Sequence, residues 1–150
     1  MGGEYDTMDE DPTLFGAGRY PDAGLLAVLA RLSFMGAMAA IVVAVFLPRA
    51  MVPQFVRSPY LEHFAAFYVA MLTALAAMQR ARLRHVAMGL VVFATLLEAT
   101  HLLSGARFPP LVRNWVADLG GLSAAAAPVI IERFRQRFPR NHRPVVGSGR

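Results

Sequence analysis

The chain has 150 residues, 56% of them hydrophobic and 17% charged, with a formal charge of +5 and no cysteine. That length allows one compact unit. The missing cysteine excludes disulfides, thiolate metal sites and cysteine nucleophiles. All fifteen basic residues are arginine, and they flank apolar segments rather than forming a basic-aromatic surface. The positive charge therefore fits a membrane topology signal, and nucleic-acid binding is not expected.

Residues 1–22 carry six of the ten acids (Glu4, Asp6, Asp9, Glu10, Asp11 and Asp22) among Gly and Pro. An acidic start lacks the basic n-region of a signal peptide and reads as a flexible or partner-ordered tail. Four apolar segments follow, at about 25–47, 60–79, 86–103 and 111–131. A membrane span needs about 20 apolar residues, so each is a candidate. The third is the clearest, and the fourth is the least apolar. Residues 35–47 and 86–97 are apolar nearly all round instead of striped at period 3.6, which argues against a soluble bundle. The expected fold is an all-α, polytopic transmembrane four-helix bundle. Its membrane domain covers 23–132, between the acidic tail (1–22) and a basic cytoplasmic tail (133–150).

The arginines set the expected orientation. With both ends cytoplasmic, eleven lie inside: Arg19, Arg31, Arg80, Arg82, Arg84 and the six after Glu132. Four lie outside: Arg49, Arg57, Arg107 and Arg113. The loop 79–85 (QRARLRH) is the tightest cluster. Pro48, Pro53, Pro59, Pro109 and Pro110 are expected in short, stiff outer loops. Residues 132–138 (ERFRQRF) are expected to prolong the fourth helix beyond the membrane. Arg80, Arg82, Arg84, Arg133, Arg135 and Arg137 then meet anionic headgroups or a partner.

Ionisable groups at membrane depth mark a site by default. Glu62, His63, Glu98, His101, Arg107, Asn114 and Asp118 all gather toward the outer leaflet in this orientation. Expected pairs are Glu98 with Arg107, and His63 with Asp118 or Glu62. Such groups form interhelical ties most often, and a polar pocket for a lipid headgroup or envelope precursor is the functional alternative. Glu98-x-x-His101 has a spacing used in di-iron bundles, but Glu62-His63 does not supply the matching pair, so no metal is expected. No cofactor is expected either, and pigment or lipid contacts would come through a partner complex. Gly120 and Gly121 form a small-residue packing patch.

The strings Leu61-Glu62-His63-Phe64-Ala65-Ala66-Phe67 and Leu97-Glu98-Ala99-Thr100-His101, then Arg107 and Asp118-Leu119-Gly120-Gly121, resemble the VanZ-like family of small bacterial membrane proteins. The resemblance covers about residues 30–132, and His101 stands where the family usually has Gln. It implies a bacterial inner-membrane, multi-pass protein acting at the cell envelope. That family is named for a teicoplanin-resistance protein. The competing expectation is a structural or assembly subunit of a larger membrane complex, photosynthetic or respiratory, docked through its two tails. An enzyme is not expected, because no nucleophile, base and orienting group occur together.

Overall fold

The computed structural model describes residues 24–47, 51, 58–103, 105 and 108–137. These residues form four helices: α1 (Leu25–Phe46), α2 (Pro59–Ala77), α3 (Leu83–Leu103) and α4 (Phe108–Arg137). All four are long and apolar enough to cross a membrane. The expected all-α chain with four span-length helices is therefore present. Residues 1–22 of the acidic tail, residues 138–150 of the basic tail, Pro48, Arg49, Pro53, Arg57 and Arg107 lie outside the described residues.

The helix ends differ from the sequence expectation for local reasons. Pro59 is the first residue of α2, and Pro109 and Pro110 lie in the first turn of α4, so these three prolines open helices instead of filling loops. A first-turn N–H has no intrahelical acceptor, so its loss there costs nothing, and the fixed φ favours the helix. α2 stops at Ala77, and Leu83, Arg84 and His85 already belong to α3, which leaves a tight turn between them. α4 runs on to Arg137, so the 132/133 boundary drawn between membrane domain and tail falls inside one helix. Pro128 sits within α4 and leaves the Ala124 carbonyl without its usual N–H partner. By mean hydropathy the first span is the most apolar and the third follows it. At the far end of α3, Gly105 adopts φ 83 and its N–H donates to Leu102 O at 3.1 Å. A positive φ suits glycine, which closes the helix end without a Cβ clash.

Spatial order departs from chain order. α2 packs most extensively on α4, α1 rests on α2, and α3 meets α4 more than it meets α2. The lateral sequence is thus α1, α2, α4, α3. Packing concentrates on α2, α4 and α3, with Phe67, Ala70, Met71, Ala74, Leu90, Ala94, Leu122 and Ala125 at the centre. α1 adds Phe34, Met38 and Ile41 from one face and turns Leu25, Leu32, Met35, Val43 and Phe46 outward. In water such exposure would be costly, whereas hydrocarbon tails are as apolar as leucine.

Small residues line the α2–α4 seam. A Cβ on Gly121 would collide with the backbone of α2 at Phe64 O and Tyr68 N, whereas one on Gly120 would reach only the Phe64 ring at 3.4 Å. Of the sequence-predicted packing pair, Gly121 makes the close backbone approach. Three threonines keep their hydroxyls satisfied inside their own helices. Thr73 donates to Val69 O (2.8 Å), Thr95 to Val91 O (2.8 Å) and Thr100 to Leu97 O (2.7 Å).

Gly121→Ala is expected to push α2 and α4 apart and to destabilise the fold by about 1–3 kcal/mol, as overpacking does. Gly89→Ala, which meets open space, is expected to be neutral or to stabilise by up to about 1 kcal/mol through helix propensity. Reversible unfolding in mixed micelles followed by circular dichroism measures both. Equal effects at the two positions would refute the seam argument.

Candidate functional site: a three-helix carboxylate–histidine cluster

His63 lies one turn into α2, Glu98 five residues before the end of α3, and Asp118 one turn before Gly121 on α4. The close approach at Gly121 brings the short Asp118 side chain against α2. His63 Nδ1 and Asp118 Oδ1 stand 2.9 Å apart. With the proton on the imidazole, Nδ1–H donates to the carboxylate. Glu98 Oε1 lies 3.8 Å from the same Nδ1. The other Glu98 oxygen, Oε2, lies 3.5 Å from His101 Nδ1, one turn further along α3. Potential ligand atoms of His63, Glu98 and Asp118 all fall within 4.8 Å of one another.

Burial makes the arrangement consequential. Glu98 is 4% exposed and Asp118 1%, and they are the two buried charged residues among those described. The His63 and His101 side chains keep 28% and 32% of their surface open. The carboxylates thus form the floor and the imidazoles the rim. Paired burial is what makes such groups tolerable away from water, since an isolated carboxylate in an apolar medium is strongly disfavoured. Every buried side-chain N or O atom among the described residues has a hydrogen-bond partner.

The other expected members of the cluster divide. Glu62 and Asn114 are half-buried, and the converging acids are Glu98 and Asp118, not Glu62. Arg107, the expected partner of Glu98, lies outside the described residues, and within them Glu98 faces two histidines instead. Of the alternatives for His63, Asp118 is the acid within hydrogen-bond distance. One contact went unread in the sequence: Trp115 Nε1 donates to Thr95 Oγ1 at 3.1 Å, tying α4 to α3 one turn from Asp118. Trp115 and Asp118, three apart on α4, share a face of that helix.

Six arginines, Arg80, Arg82, Arg84, Arg133, Arg135 and Arg137, occupy the opposite end. Arg82, Arg84 and Arg133 line an open groove between α3 and α4, walled by Ala87 and Ile130. Arg80, Arg135 and Arg137 are exposed close by, and Arg135 lies 3.8 Å from Glu132. From Arg84 to Glu98, and from Asp118 to Arg133, the helices advance about 21–23 Å at 1.5 Å per residue. Across a hydrocarbon core of about 30 Å, arginines at one interface leave the cluster about 8 Å beneath the other.

No protein-family model, curated protein or solved structure matches the chain. The geometry alone therefore characterises the site.

Asp118→Ala removes the shortest interhelical hydrogen bond of the cluster and is expected to destabilise by about 1–2 kcal/mol. In a double-mutant cycle with His63→Ala the two losses should be less than additive. Glu132→Ala, at an exposed pair, should leave stability unchanged. Strict additivity of the His63 and Asp118 losses would show that the two side chains do not interact.

Proposed function

We propose that the chain is a non-enzymatic, VanZ-like protein of the bacterial inner membrane, with both ends cytoplasmic and its polar cluster opening toward the outer leaflet. The observation that supports this reading best is the meeting of His63, Glu98 and Asp118, drawn from three helices at the end remote from Arg82, Arg84 and Arg133. Proteins tend to retain arginines on the cytoplasmic side, and Arg82, Arg84 and Arg133 together suit the phosphates of anionic lipids there. The cluster then lies shallow in the outer leaflet. Its half-open imidazoles face incoming polar groups, and its carboxylates accept hydrogen bonds from them. The natural occupant is the polar part of an amphiphile that stays in the bilayer, such as a lipid headgroup or a lipid-linked envelope precursor.

A second reading, a subunit of a larger membrane complex, has one observation behind it. α1 rests on α2 and turns most of its apolar surface outward, a face that another membrane helix fits as well as lipid does. Purification in mild detergent separates the readings. A monodisperse single chain opposes the subunit reading, and stoichiometric co-purification of other membrane proteins supports it.

Because the chain lacks cysteine, single reporters are clean. In intact cells Leu103→Cys, at the cluster end of α3, should react with a membrane-impermeant maleimide. Ala81→Cys, in the α2–α3 turn, should react only after permeabilisation. The reverse pattern overturns the orientation. For the envelope role, expression in a teicoplanin-sensitive host should raise the inhibitory concentration at least twofold. Asp118→Asn should cancel that rise while the protein still reaches the membrane. A variant as protective as the parent chain would detach the cluster from the function.

A further inference from the structure

We infer that His63, Glu98 and Asp118 form a binding site for one divalent first-row transition-metal ion of the zinc class, with a coordination position left open toward the near membrane face. For its location this rests on the orientation proposed above, but the binding itself does not.

The donor set suits such an ion. One imidazole nitrogen and two carboxylates make a mixed N/O site, which favours zinc or its first-row neighbours over magnesium and calcium, whose sites are built from oxygen alone. The spacing suits it as well. Donor atoms on a tetrahedral zinc, at about 2.0–2.2 Å from the metal, stand about 3.3 Å from one another. The imidazole-to-carboxylate distances of 2.9 and 3.8 Å bracket that value. Since all three donors lie within 4.8 Å of one another, closing on an ion requires a contraction of order 1 Å, within the reach of χ rotations. On binding, the ion would shed hydration waters as His63 Nδ1 and one oxygen each of Glu98 and Asp118 take their places; the proton on Nδ1 passes to solvent from an imidazolium, or to Nε2 in a neutral ring, which leaves the Nε2–H tautomer.

Charge points the same way. Two carboxylates nine-tenths buried at membrane depth hold two negative charges when ionised, and a protonated His63 offsets one of them. A dication beside a neutral imidazole offsets both. His101 fits a supporting role: its ring meets the Glu98 oxygen that faces away from His63, and a histidine there fixes the carboxylate as outer-shell partners do at metal sites. Three protein donors form an incomplete tetrahedron. Its vacant corner lies on the His63 side, where the cluster is open, and there it would take water or an anionic oxygen.

The test uses the full-length chain in lipid nanodiscs, without a polyhistidine tag, stripped with chelator and titrated with ZnCl2 in a calorimeter. The expected result is one zinc per chain. His63→Gln and Asp118→Asn should each weaken binding at least tenfold, and MgCl2 should bind at least tenfold more weakly than zinc. His85→Gln, an exposed histidine at the arginine end, should bind like the unaltered chain. Circular dichroism and gel filtration report whether each variant is folded. If a variant is not, Co2+ added to the unaltered chain decides alone. A visible spectrum stronger than that of the aquo ion and abolished by equimolar zinc supports the site. An aquo-like spectrum, no stoichiometric zinc on the unaltered chain, or undiminished binding by a folded His63→Gln overturns it. An orientation refuted by maleimide labelling beside intact zinc binding would fault the proposed function and not the metal site. The converse result would fault the metal site alone.

Discussion

The contact of Gly121 with the α2 backbone at Phe64 and Tyr68 is the constraint from which the rest of the arrangement follows. In a bilayer, helices are not driven together by exclusion of water, so close van der Waals contact and interhelical hydrogen bonds must hold them. A backbone approach of this kind is available only where a side chain is missing. Once it is made, alanines on both sides (Ala70 and Ala74 on α2, Ala125 and Ala126 on α4) are buried, and Met71 is the largest fully buried side chain among the described residues. One turn before Gly121, the same proximity lets an aspartate reach a histidine across the seam. Had α2 and α4 been spaced by leucines, a side chain as short as Asp118 would not have spanned the gap.

Acidic groups inside a helical bundle are tolerated under the same constraint. Glu98 belongs to α3, which meets α2 only slightly and leans mainly on α4. Its carboxylate reaches the cluster because α4 holds α3 beside the seam, helped by the hydrogen bond from Trp115 to Thr95. The polar cluster and the small-residue packing are thus parts of one device. The packing sets the distances, and the hydrogen bonds fix the register of α4 along α2. A hydrogen bond between side chains is directional, whereas alanine surfaces slide past one another with little change in energy.

Much of the fold was legible in the chain, and the unread parts share a cause. Segment length and near-continuous hydrophobicity point to four helices of spanning size, and they are present within a few residues. The displaced starts of α2 and α4 trace to Pro59, Pro109 and Pro110, which as loop residues mark a break and as first-turn residues mark a beginning, and a single sequence does not separate the two. The lateral order α1, α2, α4, α3 was not readable. A span that is apolar all round carries no stripe to say which neighbour it faces. For the same reason the sequence offered both Glu62 and Asp118 as partners for His63. Glu98-x-x-His101 has no matching motif on another helix, whereas the three donors that converge come one from each of three helices, a pattern with no fixed spacing along the chain. Gly120 and Gly121 are adjacent and equivalent in the sequence, and only the backbone path shows that Gly121 makes the close approach to α2.

The peripheral place of α1 bears on how the cluster can work. A closed four-helix bundle would enclose the polar groups on all sides and leave no lateral route to them. Here α1 covers one flank of α2 and makes little contact with α3 or α4, while the His63 and His101 side chains keep about a third of their surface open. An amphiphile moving within the membrane plane can present its polar end to such a rim without leaving the bilayer and without the bundle opening. Under the proposed function, the core of α2, α4 and α3 stays fixed as an amphiphile comes and goes, no moving lid is needed, and discrimination rests on the spacing of one imidazole and two carboxylates.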